Sequence, residues 1–131
     1  MATPADRLAE IARRYQTDRQ LFRSLDPVVQ ALPAGVPTFK APQPEGLDGG
    51  TILFHFVGRQ FRLQHAFQWS GRGAGSRVVL RADDRPGVSR DVAGVEIGDG
   101  GGVWRGEQAT GLSLPADAAE VLALLLTLGG A

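Results

Sequence analysis

From Thr51 onward the apolar residues recur at every second position, and this alternation restricts the fold more than any other feature of the chain. A period of two is the signature of a strand with one face toward a core and one toward water. Ile52, Phe54 and Phe56 share one side of a strand over Thr51 to Gly58, and Gly58-Arg59 suits a tight turn. In the next strand Phe61, Leu63, His65, Phe67 and Trp69 share one side, while Gln60, Arg62, Gln64 and Gln68 share the other. Ser70 to Ser76 is glycine-rich and reads as a flexible hairpin loop bearing Arg72. A third strand over Arg77 to Ala82 sets Val78 and Leu80 against Arg77 and Arg81. After a turn at Asp83 to Gly87, Val92 to Ile97 reads as a fourth strand and Gly98 to Gly102 as another turn. Val103 to Arg105 begins a fifth strand, and Thr110 to Leu114 reads as a short closing one.

The flanks follow the helical period. Thr3 can cap a helix, Pro4 suits its first position and Asp6 complements the helix dipole, after which Leu8, Ile11, Ala12 and Tyr15 fall on one face. Thr17-Asp18 allows a second helix to start there, with Leu21, Phe22 and Leu25 apolar, and Asp26-Pro27 caps a further short turn holding Val28, Val29 and Leu32. Residues 33–50 then hold four prolines and four glycines, a density that helices and inner strands do not tolerate, so they read as a linker or surface arm between a helical unit over 1–32 and a sheet-containing unit over 51–131. At the other end, Leu114-Pro115-Ala116-Asp117 opens a helix with Pro115 at its first position, running to about Leu128 and stopped by Gly129-Gly130. Apolar residues go nearly all the way round this helix. Such a helix is either sandwiched between layers or buried in an oligomer interface, and Val121, Leu122, Leu125 and Leu128 are the residues expected at that interface.

The expected architecture is therefore α+β: an N-terminal helical unit, an antiparallel sheet of about five strands and a C-terminal amphipathic helix, within one domain. The 131 residues suffice for one core, and a hydrophobic share of 43% with 21% charged is that of an ordinary globular chain. The absence of cysteine excludes disulfides, thiolate zinc sites and cysteine nucleophiles in this chain. The N-terminal residues do not form a basic-then-apolar signal, and the longest apolar run, Val121 to Leu126, is far shorter than the ~20 residues a bilayer needs. The expectation is a cytoplasmic location with no membrane partner. No nucleophile elbow, phosphate-binding strand–loop–helix or paired carboxylate pattern is present, and two histidines without a third ligand make a poor metal site, so neither catalysis nor a cofactor or metal is expected.

Charge is balanced overall, 14 basic against 14 acidic residues, but not locally. Gly49 to Ala82 contains no Asp or Glu, yet carries Arg59, Arg62, Arg72, Arg77 and Arg81 interleaved with Phe54, Phe56, Phe61, Phe67 and Trp69. If the second and third strands pair, Arg62, Gln64, Arg77 and Arg81 line up on one face, with Arg72 in the loop and Trp104 available for stacking. Guanidinium groups beside exposed rings can hold a single-stranded sugar–phosphate backbone. Two other readings of the same residues stand beside this one. The arginines can simply keep a sheet face soluble, with the leucine-rich helix making the chain a protein-assembly module. Alternatively Phe54, Phe61 and His65 can line the pocket of a small cup-shaped ligand-binding or enzymatic domain.

The step Thr110-Gly111-Leu112-Ser113-Leu114 into a terminal amphipathic helix, after a strand meander, resembles the positive-cofactor-four (coactivator p15) family over residues 51–129. The resemblance implies a homodimer that binds single-stranded DNA on a curved sheet, with its terminal helices at the dimer interface; the arginine-rich face read from the residues allows single-stranded RNA as well as DNA.

Overall fold

The computed structural model describes residues 3–31, 50–56, 59–70, 73–85 and 88–129. The chain forms helix α1 (Pro4–Arg23), helix α2 (Leu25–Gln30), strands β1 (Thr51–Phe56), β2 (Arg59–Ser70), β3 (Gly73–Arg85), β4 (Val88–Ile97), β5 (Gly102–Arg105) and β6 (Gln108–Ser113), and helix α3 (Ala118–Leu128). The α+β class is as expected, with six strands rather than about five.

Helix α1 starts where its capping residues place it. Thr3 Oγ1 accepts the Asp6 N–H at 3.1 Å and Asp6 Oδ2 accepts the Thr3 N–H at 3.0 Å, a reciprocal box that satisfies two donors of the first turn. The bond from the Thr3 backbone, followed by that from its side chain, holds the Asp6 carboxyl below its ordinary value. The helix does not restart at Thr17-Asp18 but runs on to Arg23. Asp18 is 1% exposed and its carboxylate bonds across to the sheet, so it is not free to cap a new helix. The break comes at Ser24, whose N–H donates to Gln20 and Leu21 carbonyls before α2 begins. The first turns of α1 are exposed, Leu8 at 68%, whereas Phe22 is fully buried.

All six strands form one antiparallel meander in the order β1-β2-β3-β4-β5-β6. The alternation read from sequence sets the register: Phe61 faces Phe54 and Ala82, Leu63 faces Ile52 and Leu80, and His65 faces Val78. Strand β3 is longer than expected. Residues 73–76, read as loop, pair with residues 67–70, because small residues meet no obstacle to extended pairing there. One face of the sheet is covered by the helices. Phe22, Leu25 and Val29 from α1 and α2 join Ile52, Phe61, Leu63, Leu80, Val95, Val103, Val121 and Leu125 in a single core, so the helical unit and the sheet share one interior. Each such side chain contributes roughly 1.5–3 kcal/mol by leaving water.

Helix α3 begins three residues later than expected. Leu114 is buried, its N–H donates to the Gly101 carbonyl at 2.8 Å, and Ser113 N–H donates to Asp117 Oδ2 at 2.9 Å, which holds Leu114 to Asp117 as a turn. Gly101 makes that contact possible: its φ is 92°, and a Cβ there would lie 2.5 Å from the Leu114 oxygen. The apolar girth of α3 is explained by sandwiching, because it packs on α2, β4 and β6. Val121, Leu122 and Leu125 are 0%, 2% and 0% exposed in the chain's own core, which corrects their placement at an oligomer interface; Leu128 is half-buried. Among the described residues no helix is long and apolar enough to cross a membrane.

Candidate binding face of the sheet

The side chains that point away from the helices form a face that, among the described residues, no helix covers, termed the uncovered face below. The register brings Leu53, Arg62, Arg81 and Asp91 into one row across β1 to β4. A second row holds Gln64, Val79 and Gly94, and a third holds Ala66, Arg77, Glu96 and Trp104. Five of the six residues expected to contact nucleic acid, Arg62, Gln64, Arg77, Arg81 and Trp104, thus lie on one face, as pairing of the strands requires. Arg72 lies outside the described residues, as do the side chains of His55 and Trp69.

The face also carries carboxylates that the acid-free segment concealed. Arg62 and Arg81 are direct cross-strand neighbours, a like-charge pairing that destabilises a sheet unless compensated. Compensation comes from Asp83, which accepts from Arg62 at 3.3 Å and from Gln60 at 3.0 Å. Arg81 Nε lies 2.9 Å from Asp91 Oδ1, an ion-pair contact that falls short of hydrogen-bond geometry, and Arg81 Nη1 donates to Gln64 Oε1 at 3.2 Å. Arg62 Nε, Arg81 Nε and Asp83 Oδ1 are shielded from solvent without a hydrogen-bond partner.

Arg77 differs. It is exposed, its guanidinium lies over Gly94, where a Cβ would come within 2.7 Å of it, and it forms no ion pair with another described residue. Its cross-strand neighbour Glu96 instead accepts the Gly106 N–H at 3.1 Å. One strand beyond Glu96, Trp104 is 41% exposed, with its indole against Gly98. An exposed guanidinium and an exposed ring therefore share this face.

The covered face holds a second polar arrangement, which sequence reasoning saw only as an isolated histidine. His65 is 8% exposed, Ser76 4% and Asp18 1%. Ser76 Oγ donates to Asp18 Oδ2 at 2.5 Å and lies 2.9 Å from His65 Nε2, while Arg19 Nε donates to His65 Nδ1 at 2.8 Å. Arg14 closes the series, donating to Asp18 Oδ2 at 2.8 Å and to the Ile97 carbonyl at 3.0 Å. A serine, a histidine and an aspartate in contact invite comparison with a nucleophilic triad, but the order is wrong. Catalysis needs the imidazole between hydroxyl and carboxylate. Here the hydroxyl is in the middle, its proton directed to Asp18, and the far side of the ring faces a cation. The group ties α1 to β2 and β3. Phe54 and Phe61 are fully buried and stacked on each other, so with His65 they form core rather than a pocket wall. Among the described residues no three His, Cys, Asp or Glu stand together as metal ligands.

The sequence signals for the missed residues were present. Asp18 falls on the helical stripe of Tyr15, Phe22 and Leu25, where a carboxylate requires a partner. Asp83, Asp91 and Glu96 escape notice because they follow the arginines in the chain and meet them only through strand pairing.

The fold is an α+β domain in which, among the described residues, helices cover one face of the sheet. Compared with known proteins, the chain matches no family model, no curated protein sequence and no solved structure.

Proposed function

We propose that the chain is a non-enzymatic binding module that takes single-stranded nucleic acid on the uncovered face of its sheet. The observation that carries this reading is the presence on one face, on either side of Glu96, of exposed Arg77, which is in no ion pair with a described residue, and exposed Trp104. The guanidinium supplies a phosphate contact and the indole a platform for one base, worth roughly 1–3 kcal/mol per stacked base. Gln64 and Gln68 add neutral donors beside them.

The ion pairs of Arg62 and Arg81 limit how strongly such a face attracts a polyanion. Each engaged phosphate contributes about −0.7 to the slope of log affinity against log salt for a single strand. With Arg77 engaged and the other two occupied by carboxylates, the slope is expected at about −0.7, far shallower than for an open basic groove. The test is fluorescence anisotropy of labelled single-stranded DNA and RNA across a salt series, with wild type and the Arg77→Ala, Trp104→Ala double variant. Saturable binding, lost in the double variant, supports the reading. Affinity unchanged in the double variant, or no binding at micromolar protein, removes it.

Asp83, Asp91 and Glu96 favour a second reading, in which the face meets another copy of the chain. A surface carrying both signs can be self-complementary under a two-fold axis, whereas a purely basic one repels itself. Ala66 is exposed on this face, so Ala66→Arg perturbs a partner without disturbing the core. Sedimentation equilibrium is expected to give a wild-type dimer and an Ala66→Arg monomer; a wild type that stays monomeric at high concentration excludes the pairing.

A further inference from the structure

We infer that the uncovered face selects guanine, with the base stacked on Trp104 and its Watson–Crick edge held by the carboxylate of Glu96. The inference rests on the single-strand reading above and names the base which that reading leaves open. Gly94, Glu96 and Gly98 alternate along extended backbone and so share one face. Both glycines make room for a neighbour: a Cβ at Gly94 would meet the Arg77 guanidinium at 2.7 Å, and one at Gly98 would meet the Trp104 indole nitrogen at 2.9 Å. The two glycines stand about 13 Å apart along the strand, so a guanidinium and an indole are seated on either side of one carboxylate. That carboxylate is fixed. Its Oε2 accepts the Gly106 N–H at 3.1 Å, which ties the half-buried side chain to the turn after β5, the strand that carries Trp104. Among the described residues Oε1 has no hydrogen-bond or ion-pair partner.

A carboxylate on a face that takes a polyanion repels phosphate, so donors on the ligand must offset it. An ionised carboxylate can only accept. Guanine presents two adjacent donors on its Watson–Crick edge, N1–H and the 2-amino group. Adenine and cytosine present one amino group beside a bare ring nitrogen, and thymine and uracil one N–H between two carbonyls. Those acceptors would face Glu96 lone pair to lone pair. Hydrogen bonds to an ionised acceptor are the stronger kind, and a base without the donor pair leaves the carboxylate desolvated and unpaired. Arg77, across Glu96 from the indole, suits the backbone of a neighbouring nucleotide rather than that of the stacked one.

Fluorescence anisotropy tests this with short single strands of abasic sites carrying one central dG, dI, dA, dC or dT, so that a single base is available to the indole. Wild type is expected to bind the dG strand at least about fivefold more tightly than the dA, dC and dT strands. The dI strand, which lacks the 2-amino group, should fall between. In Glu96→Gln the amide oxygen can still accept from Gly106, but a donor replaces the second acceptor, and the dG-to-dA ratio should collapse to about one. A merely structural role for Glu96 would weaken all strands alike and leave the ratio intact, which overturns the inference. Equal binding of all strands by wild type overturns it while leaving the single-strand reading in place; no binding of any strand removes both. Guanosine monophosphate as competitor separates base from strand: it is expected to displace the dG strand only at much higher concentration, and equal potency overturns the strand as the ligand.

Discussion

The two faces of the sheet both gather polar groups around arginine, yet they handle charge differently. On the covered face, Arg14 and Asp18 are 14% and 2% exposed at the side chain, and every link of the series through Ser76, His65 and Arg19 has a partner. On the uncovered face, Arg62 and Arg81 remain about one-third exposed, at 34% and 33%, and lean on Asp83 and Asp91 with atoms left unsatisfied. Water accounts for the contrast. An exposed ion pair is screened and replaceable, whereas a buried one must be complete because nothing else can solvate its members. The covered arrangement fixes where the helix sits, and the uncovered one leaves side chains that a ligand can recruit.

Substitutions can break or sharpen that comparison. The largest effect is expected from Asp18→Ala, which strands Arg14 and Ser76 in the interior; a loss of about 3 kcal/mol in denaturant unfolding is the outcome that fits a buried pair cut in half. A loss below 1 kcal/mol would show that both faces treat their ion pairs alike. Arg81→Ala on the uncovered face is expected to cost less, about 0–1 kcal/mol in the same measurement, and that cost should shrink further in high salt.

Much of the fold was legible in the residues. Thr3, Pro4 and Asp6 mark the start of α1, and the alternation of Phe61, Leu63 and His65 marks both the second strand and its buried side. What failed was local chemistry overruled by pairing at a distance. The glycines at 73 and 75 read as loop, but opposite Ser70 and Gln68 the backbone remains extended, and this carries Ser76 into the core beside His65. Pro115 reads as a first helical residue, but the bond from Leu114 to Gly101 keeps the chain in a turn. The candidate face was legible as a set of arginines on one side of a hairpin. Its carboxylates were not, because charge along the chain does not disclose which residues a meander will lay side by side. The girth of α3 left sandwich and interface open, and the packing of α3 on α2, β4 and β6 shows where Val121, Leu122 and Leu125 are buried.

The meander order has a consequence for the path by which the molecule assembles. Each strand pairs with its neighbour in sequence, so the sheet can grow hairpin by hairpin with short loops to close. The bond between Asp18 and Ser76 spans 58 positions and cannot form until β3 is in place. We expect docking of α1 to fall late in the reaction, after the rate-limiting barrier. In Asp18→Ala the lost stability should then emerge as faster unfolding, with the refolding rate nearly unchanged. A helix that comes first in the chain would be among the last parts to find its place.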